Sequence, residues 1–307
     1  MKQKAMRMRE SREDRIFGGV VLFFLIMVLL ITIYPLYFTV IASFSDAKET
    51  ALGHTYLVPR GFTTIAYKNV FKNAKIWSGY ANTIFITTVG TLWALTATIS
   101  CAYAMSRKNL RGAKVVMGMF VFTMYFGGGL IPFALLIRSL GLYNSLGSLI
   151  IPSGFSVYNM IVARTFFTSN FPDEIYEAAK VDGAGELAIF VRIALPISGA
   201  IIAVIALFNA VGFWNSYFNA LMFISDSAKW PLQLVLRGIL TQESDLAIDM
   251  EWLTKLNLDQ AAFMMERQQL ANTIRYAIIV FASLPMLIAY PFVQKYFVKG
   301  VLIGSIK

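Results

Sequence analysis

Six apolar runs, each long enough to cross a bilayer as a helix, dominate this chain: residues 16–43, 80–105, 114–138, 143–167, 197–223 and 271–297. A hydrocarbon core takes about 20 helical residues, and inside it every backbone amide and carbonyl must be paired within protein. Continuous apolar runs meet that demand as helices, because barrel strands are short and alternate apolar with polar side chains. The chain is therefore expected to be an all-α integral membrane protein with six transmembrane helices. Its composition agrees, since 57% hydrophobic and 14% charged residues lie outside the range of soluble domains. The first run is longer than a signal-peptide core and is followed by no convincing cleavage site, so it reads as a retained anchor.

The net charge of +10 gathers at the ends of these runs and forms no aromatic-interleaved stripe, which points to topology and away from nucleic acid. Lys2, Lys4, Arg7, Arg9, Arg12 and Arg15 put the N-terminal tail on the cytoplasmic side. An even number of spans then puts the loop SRKNLRGAK (106–114) and the C-terminus on that side too. The net acidic segment from Ser225 to Leu270 falls outside. One loop, 44–79, is more basic than an outside loop should be. The expected organisation is a cytoplasmic basic tail at 1–15, a first transmembrane helix at 16–43 and an extracytoplasmic loop at 44–79. A five-helix core follows at 80–297, with a cytoplasmic loop at 169–196 and an extracytoplasmic loop at 225–270, and a cytoplasmic tail closes the chain at 298–307.

Several chemistries are excluded by what the chain lacks. A single cysteine, Cys101, and a single histidine, His54, leave no internal disulfide, cysteine or histidine metal site, or histidine-based triad. Acidic residues are confined to loops, which argues against an intramembrane enzyme and also against the alternative of a stand-alone secondary transporter or channel, since coupling ions need ionisable groups within spans. No G-x-x-x-x-G-K-[ST] phosphate loop occurs. The glycines of FGGGL (126–130) lie in an apolar run without a lysine and read as helix packing or a kink.

Between the fourth and fifth runs lies a polar stretch, EIYEAAKVDGAGELAIFVRIALP (174–196). Pro172 with Asp173 and Glu174 predicts a helix start, because proline has no amide to lose and carboxylates favour the positive end of the helix dipole. Ile175, Ala178, Ala179 and Val181 are expected to form a small apolar face beside Glu174, Glu177 and Lys180. The helix should end near Asp182-Gly183, where glycine takes a left-handed turn. A second helix from about Gly185 carries Leu187, Phe190, Val191 and Ile193 towards Leu195-Pro196. The outcome is a two-helix elbow at the membrane surface.

Glu177-Ala178-Ala179, three residues, Gly183, nine residues, Ile193, one residue, Leu195-Pro196 resembles the EAA signature, E-A-A-x3-G-x9-I-x-L-P, of the permease subunits of ABC importers. The segments 125–167, 213–224 and 290–307 are similar to carbohydrate permeases, and nearly the whole chain is similar to the LplC-type group of complex-oligosaccharide permeases. The resemblance implies that the loop between helices 4 and 5 is a coupling helix seated on a separate ATP-binding subunit, and that Glu177, Ala178, Ala179, Asp182, Gly183, Ile193, Leu195 and Pro196 carry that role. It further implies a bacterial cytoplasmic-membrane protein paired with a second, different permease, two ATP-binding subunits and an extracytoplasmic sugar-binding protein. No cofactor is expected in this chain, and ATP with magnesium belongs to the partner. The sequence departs from the family at Gly185, where a small hydroxyl residue is usual, and lacks the usual glycine after GSIK. For the solute path, a sugar offers hydroxyls to amides and flat faces to rings, which singles out Trp214 and Asn215, then Tyr217, Asn219, Asn209 and Tyr125.

Overall fold

The computed structural model describes residues 11–245 and 258–304, and every regular element among them is helical. In chain order the principal helices are α1 (Arg12–Ser43), α2 (Ala74–Ser106), α3 (Ala113–Tyr125), α4 (Leu130–Ser139), α5 (Val157–Asn170) and α6 (Asp173–Val181). They continue as α7 (Glu186–Ile197), α8 (Gly199–Trp214), α9 (Phe218–Phe223), α10 (Leu232–Asp245) and α11 (Leu258–Gly304). Three are long and apolar enough to cross a membrane unaided: α1, α2 and the Gln268–Pro291 stretch of α11. Two further passages are bent pairs, α3 with α4 at 113° and α7 with α8 at 82°.

The breaks have local causes. The run expected as one helix at 114–138 is interrupted by three consecutive glycines, with Gly129 at φ +84°, a backbone region that side-chain-bearing residues avoid. The run at 143–167 is not a single helix either. It comprises a helical turn at Gly147–Ile150, a 3-10 turn at Pro152–Gly154 and the 14-residue α5, which Ser156 caps by accepting from the Asn159 amide at 3.3 Å. Pro152 has no amide to donate, so a helix cannot run through it unbroken without losing a bond.

The chain divides into two compact units, one of residues up to Val70 with Asp245–Phe281, the other of Phe71–Ser244 with Ala282 onward. In the first unit, α1 begins at a capping box in which Ser11 and Asp14 exchange hydrogen bonds of 3.1 Å. Almost all of its apolar side chains are exposed until Ile41, a surface that only lipid or another chain can cover. The expected loop after it is partly structured: Asp46 caps a helix at Ala47–Ala51, and Phe44 lies between Phe62 and Tyr67, at centroid distances of 5.7 and 4.8 Å.

In the second unit α2 is the central post, with α5 and α8 packed along it. Small residues set these approaches. A Cβ on Gly90 would meet the Phe213 ring at 2.7–2.8 Å, and one on Gly154 would lie 2.0 Å from the Trp93 indole. At one end Asn82 donates to the carbonyls of Ala228 and Trp230, and Thr83 accepts from the Leu232 amide at 2.8 Å, which ties the start of α10 to α2. At the other end Tyr103, Met105, Met160, Phe167, Phe171, Ala179, Ile189 and Ala194 form one buried cluster. That cluster is what fixes α6 and α7. The expected loop at 225–270 lies partly, and the two terminal tails largely, outside the residues whose side chains are described.

Candidate functional sites

The elbow forms as the sequence predicts. Pro172, with φ −59° and ψ 147°, stands just before α6 as its cap residue, and Asp173 and Glu174 fill the first turn. The helix closes in a double-bonded glycine turn: the Gly183 amide donates to the Lys180 carbonyl at 3.0 Å and the Ala184 amide to that of Ala179 at 2.9 Å. Gly183 has φ +80° with open space around it, so its lack of a side chain answers a backbone need. Gly185 caps α7 without any side-chain hydrogen bond. Five residues later the helix widens into a π turn, Phe190–Ala194, before bending at Ser198, whose buried hydroxyl donates to the Ala194 carbonyl at 2.6 Å.

Charged and aromatic contacts clamp the elbow. Lys108, in the basic loop after α2, pairs with Asp173 at 2.5 Å. Lys180 pairs with Glu186 across the glycine turn at 2.7 Å, and the Tyr176 hydroxyl donates to the same carboxylate oxygen at 2.5 Å. The Arg107 guanidinium lies 5.0, 4.8 and 5.4 Å from the ring centres of Tyr103, Phe171 and Tyr176, a cation held over aromatic faces. Hydrogen bonds from Lys108 and from Lys180 and Tyr176 hold the Asp173 and Glu186 carboxyls below their ordinary values of 3.8 and 4.5.

A depressed carboxylate stabilises the folded state above its ordinary value and loses that contribution as pH falls through the lowered one. The two lysines are raised by the same bonds, so their contribution persists until pH exceeds the ordinary lysine value of 10.5. A spin label on Val181→Cys in a Cys101→Ala background should therefore keep constant mobility through neutral pH and loosen below about pH 4. Loosening that begins near pH 6 would mean that other groups hold the turn.

The two faces of α6 differ from the expected single apolar stripe. Ala179 is buried in the cluster below, whereas Ala178 and Glu177 are exposed, Ile175 is 42% exposed and Val181 88%. The helical spacing of Glu174, Ala178 and Val181 makes them one outward face. Ile193 and Leu195 are half-buried, and Pro196, Asp182 and Gly183 are exposed. The outward patch thus carries the carboxylates Glu174 and Glu177 around Ala178, with Ile175 and Val181 at its margins, on a support pinned from behind.

Four of the six path candidates come together. Asn209, Asn215, Tyr217 and Asn219 line a cavity of about 350 Å³ with Ser153, Ser216 and three phenylalanines. Trp214 does not join them; it is buried edge-on against Tyr80 at 6.0 Å and lines a separate, apolar cavity with Thr87 and Pro285. Helix α8 ends at Trp214, so adjacent residues leave it in different directions. Tyr125, 72% exposed at the end of α3, lines neither cavity. Asn209 spends one amide hydrogen on the Ile205 carbonyl of its own helix. Ser153 and Ser216 went unremarked in the sequence, as did Arg237, which lies 5.7 Å from the Tyr217 ring centre. Single hydroxyls and a cation 20 residues away carry no local signal.

Residues 94–303 match the family described as binding-protein-dependent transport system inner membrane component. The chain belongs to that family. This permease is 41% identical to protein LplC of Bacillus subtilis (strain 168), over 98% of each chain. It is 38% identical to the polygalacturonan/rhamnogalacturonan transport system permease protein YtcP of the same organism, over 96% of this chain and 99% of that one. It also superposes, with a TM-score of 0.83 and 33% identity, on a chain of a bacterial ABC transporter involved in the import of the acidic polysaccharide alginate, covering 94% of the permease and 99% of its counterpart. The permease is therefore a membrane-embedded transport subunit of the ABC type, working within a larger complex.

Proposed function

We propose that this permease forms half of the translocation pathway of an ATP-driven importer for an oligosaccharide, and that its elbow couples the pathway to a separate ATP-binding subunit. The observation that carries the reading is the outward face of α6. The Glu177 and Ala178 side chains make no hydrogen bond or ion pair among the described residues, while the same short helix is pinned by Lys108, Lys180, Tyr176 and the buried Ala179. A helix lying in the lipid interface would carry lysine and arginine on its polar face and several large apolar groups on the other, whereas α6 exposes the carboxylates Glu174 and Glu177 with only Ile175 and Val181. Small alanines allow close seating, Glu177 offers a carboxylate to a basic or amide group, and Asp182-Gly183 with Ile193, Leu195 and Pro196 preserves the elbow that transmits movement.

The solute passes the asparagine-lined cavity, where amides and hydroxyls meet hydroxyl groups and rings meet flat sugar faces. The name of YtcP, a polygalacturonan/rhamnogalacturonan system, and the description of the solved transporter, which imports the acidic polysaccharide alginate, favour an acidic oligosaccharide. Six crossings with both termini in the cytoplasm belong to this reading; it is supported by five candidate passages when each bent pair is counted once and by the basic residues of the N-terminal tail and of the 106–114 loop. A second, different permease, two ATP-binding subunits holding ATP and magnesium, and an extracytoplasmic binding protein meeting the 225–270 segment complete the assembly.

The test is gentle solubilisation of membranes containing the tagged chain, followed by identification of stoichiometric co-purifying proteins. An ATP-binding subunit and a second multi-span permease are expected. A chain recovered alone that still transports after reconstitution without ATP would overturn the reading.

A further inference from the structure

Beside the elbow, the loop after α2 and the start of α6 enclose a cavity of about 800 Å³ whose charged lining residues are Arg107, Lys108, Lys114, Arg164, Asp173 and Glu174. Lys108 and Asp173 neutralise each other in their ion pair. Lys114 and Arg164 are then left facing a single carboxylate, Glu174, beside Arg107, whose guanidinium also donates to the Ser106 hydroxyl and lies over three rings. Arg164 lies six residues before the end of α5, about 9 Å along the helix axis. It is half-buried, and its Nε donates to the Met105 carbonyl at 2.8 Å. Its terminal nitrogens, and the Lys114 ammonium, have no partner among the described residues. A cation set back from the end of a membrane-associated helix pairs with an anion or with backbone carbonyls, and here only the Nε of Arg164 has such a partner among the described residues. Next to Lys114, the side chains of Val115, Met119 and Phe122 form an exposed apolar strip along one face of α3.

We propose that this cavity binds a phosphate-ester anion, supplied as the headgroup of an acidic phospholipid in the leaflet at the elbow end. Arg164, Lys114 and Arg107 hold the phosphate, and the acyl chains lie along Val115, Met119 and Phe122. Free phosphate would satisfy the cations equally well; the adjoining apolar strip is what favours lipid. An occupant here touches Phe171, Pro172 and Glu174, where the elbow begins.

The purified chain with its co-purifying subunits, in nanodiscs of phosphatidylcholine, would be given trace spin-labelled phosphatidylglycerol or phosphatidylcholine, and the immobilised fraction of each measured. Phosphatidylglycerol should be preferred, and Lys114→Gln and Arg164→Gln should each weaken that preference about fivefold. Millimolar inorganic phosphate should leave the preference intact. Arg111→Gln removes a charge of the same loop that does not line the cavity, and should change it little. Lys114 is exposed, so its variant tests the site even if the Arg164 variant disturbs packing at Met105. Unchanged selectivity in Lys114→Gln, or an equal loss in Arg111→Gln, would overturn the site. Displacement by inorganic phosphate would overturn the lipid as its occupant. Neither ATP nor solute is needed, so failure here is separable from failure of the coupling reading.

Discussion

Valine at position 90 is expected to destabilise the permease by about 1–3 kcal/mol, the range for forcing extra atoms into a packed core. The first added carbon alone would sit 2.7–2.8 Å from three atoms of the Phe213 ring, and that ring is buried, with only 5% of its surface exposed. Relief requires either a rotation of Phe213 into the asparagine-lined cavity or a retreat of α8 from α2. Both change the wall of that cavity, so its shape should change along with stability. A thermal-shift measurement on Gly90→Val, Phe213→Leu and the double variant separates the contact from its surroundings: the double variant should recover a large part of the loss, because neighbouring residues that share one clash are not additive. Equal stability of Gly90→Val and the unaltered chain would show that the two helices pack less tightly than described.

Reversal of charge at Glu177 is expected to abolish ATP-driven uptake while leaving the permease folded. Glu177 is exposed and makes no hydrogen bond or ion pair among the described residues; its only charge contact is a weak attraction to Lys108, so Lys in its place should leave the fold intact. If the outward face of α6 seats on another subunit through complementary charge, a like-charge juxtaposition costs several kcal/mol, or at least about a hundredfold in association. Uptake by cells carrying Glu177→Lys, at membrane levels matched by immunoblot, reads the effect, and recovery of the ATP-binding subunit in a pull-down should fall in parallel. Normal uptake at matched levels would remove α6 from the coupling path.

The elbow was legible in the sequence because its determinants are local. A proline and two carboxylates begin α6, and Gly183 ends it, each within a turn of where it acts. What holds the elbow in place was not legible. Lys108 and Asp173 are far apart in the chain, and the basic loop after α2 carries a topological signal strong enough to hide its second use. The apolar runs were found by hydropathy, which averages over some 20 residues and is blind to where a helix breaks. Gly127–Gly129 and Pro152 therefore passed as features inside spans, although they end helices. The cavity candidates show the same limit at smaller scale. Trp214 and Asn215 are neighbours in sequence, yet one lines an apolar cavity and the other a polar one, because α8 ends between them.

The joint at Ser198 turns the axis through 82° between α7 and α8. Two rods meeting nearly at a right angle behave as a bell crank: a push along one has almost no component along the other and emerges as a sideways swing. Whatever displaces the elbow along α7 thus reaches α8 as a tilt, and a tilt widens one mouth of a helix-lined passage while narrowing the other. The buried hydroxyl of Ser198, bonded to the Ala194 carbonyl at 2.6 Å, sits at the fulcrum. On the proposed coupling reading, the residues of α8 that line the asparagine-rich cavity can then vary without altering the part of the lever that a partner subunit grips.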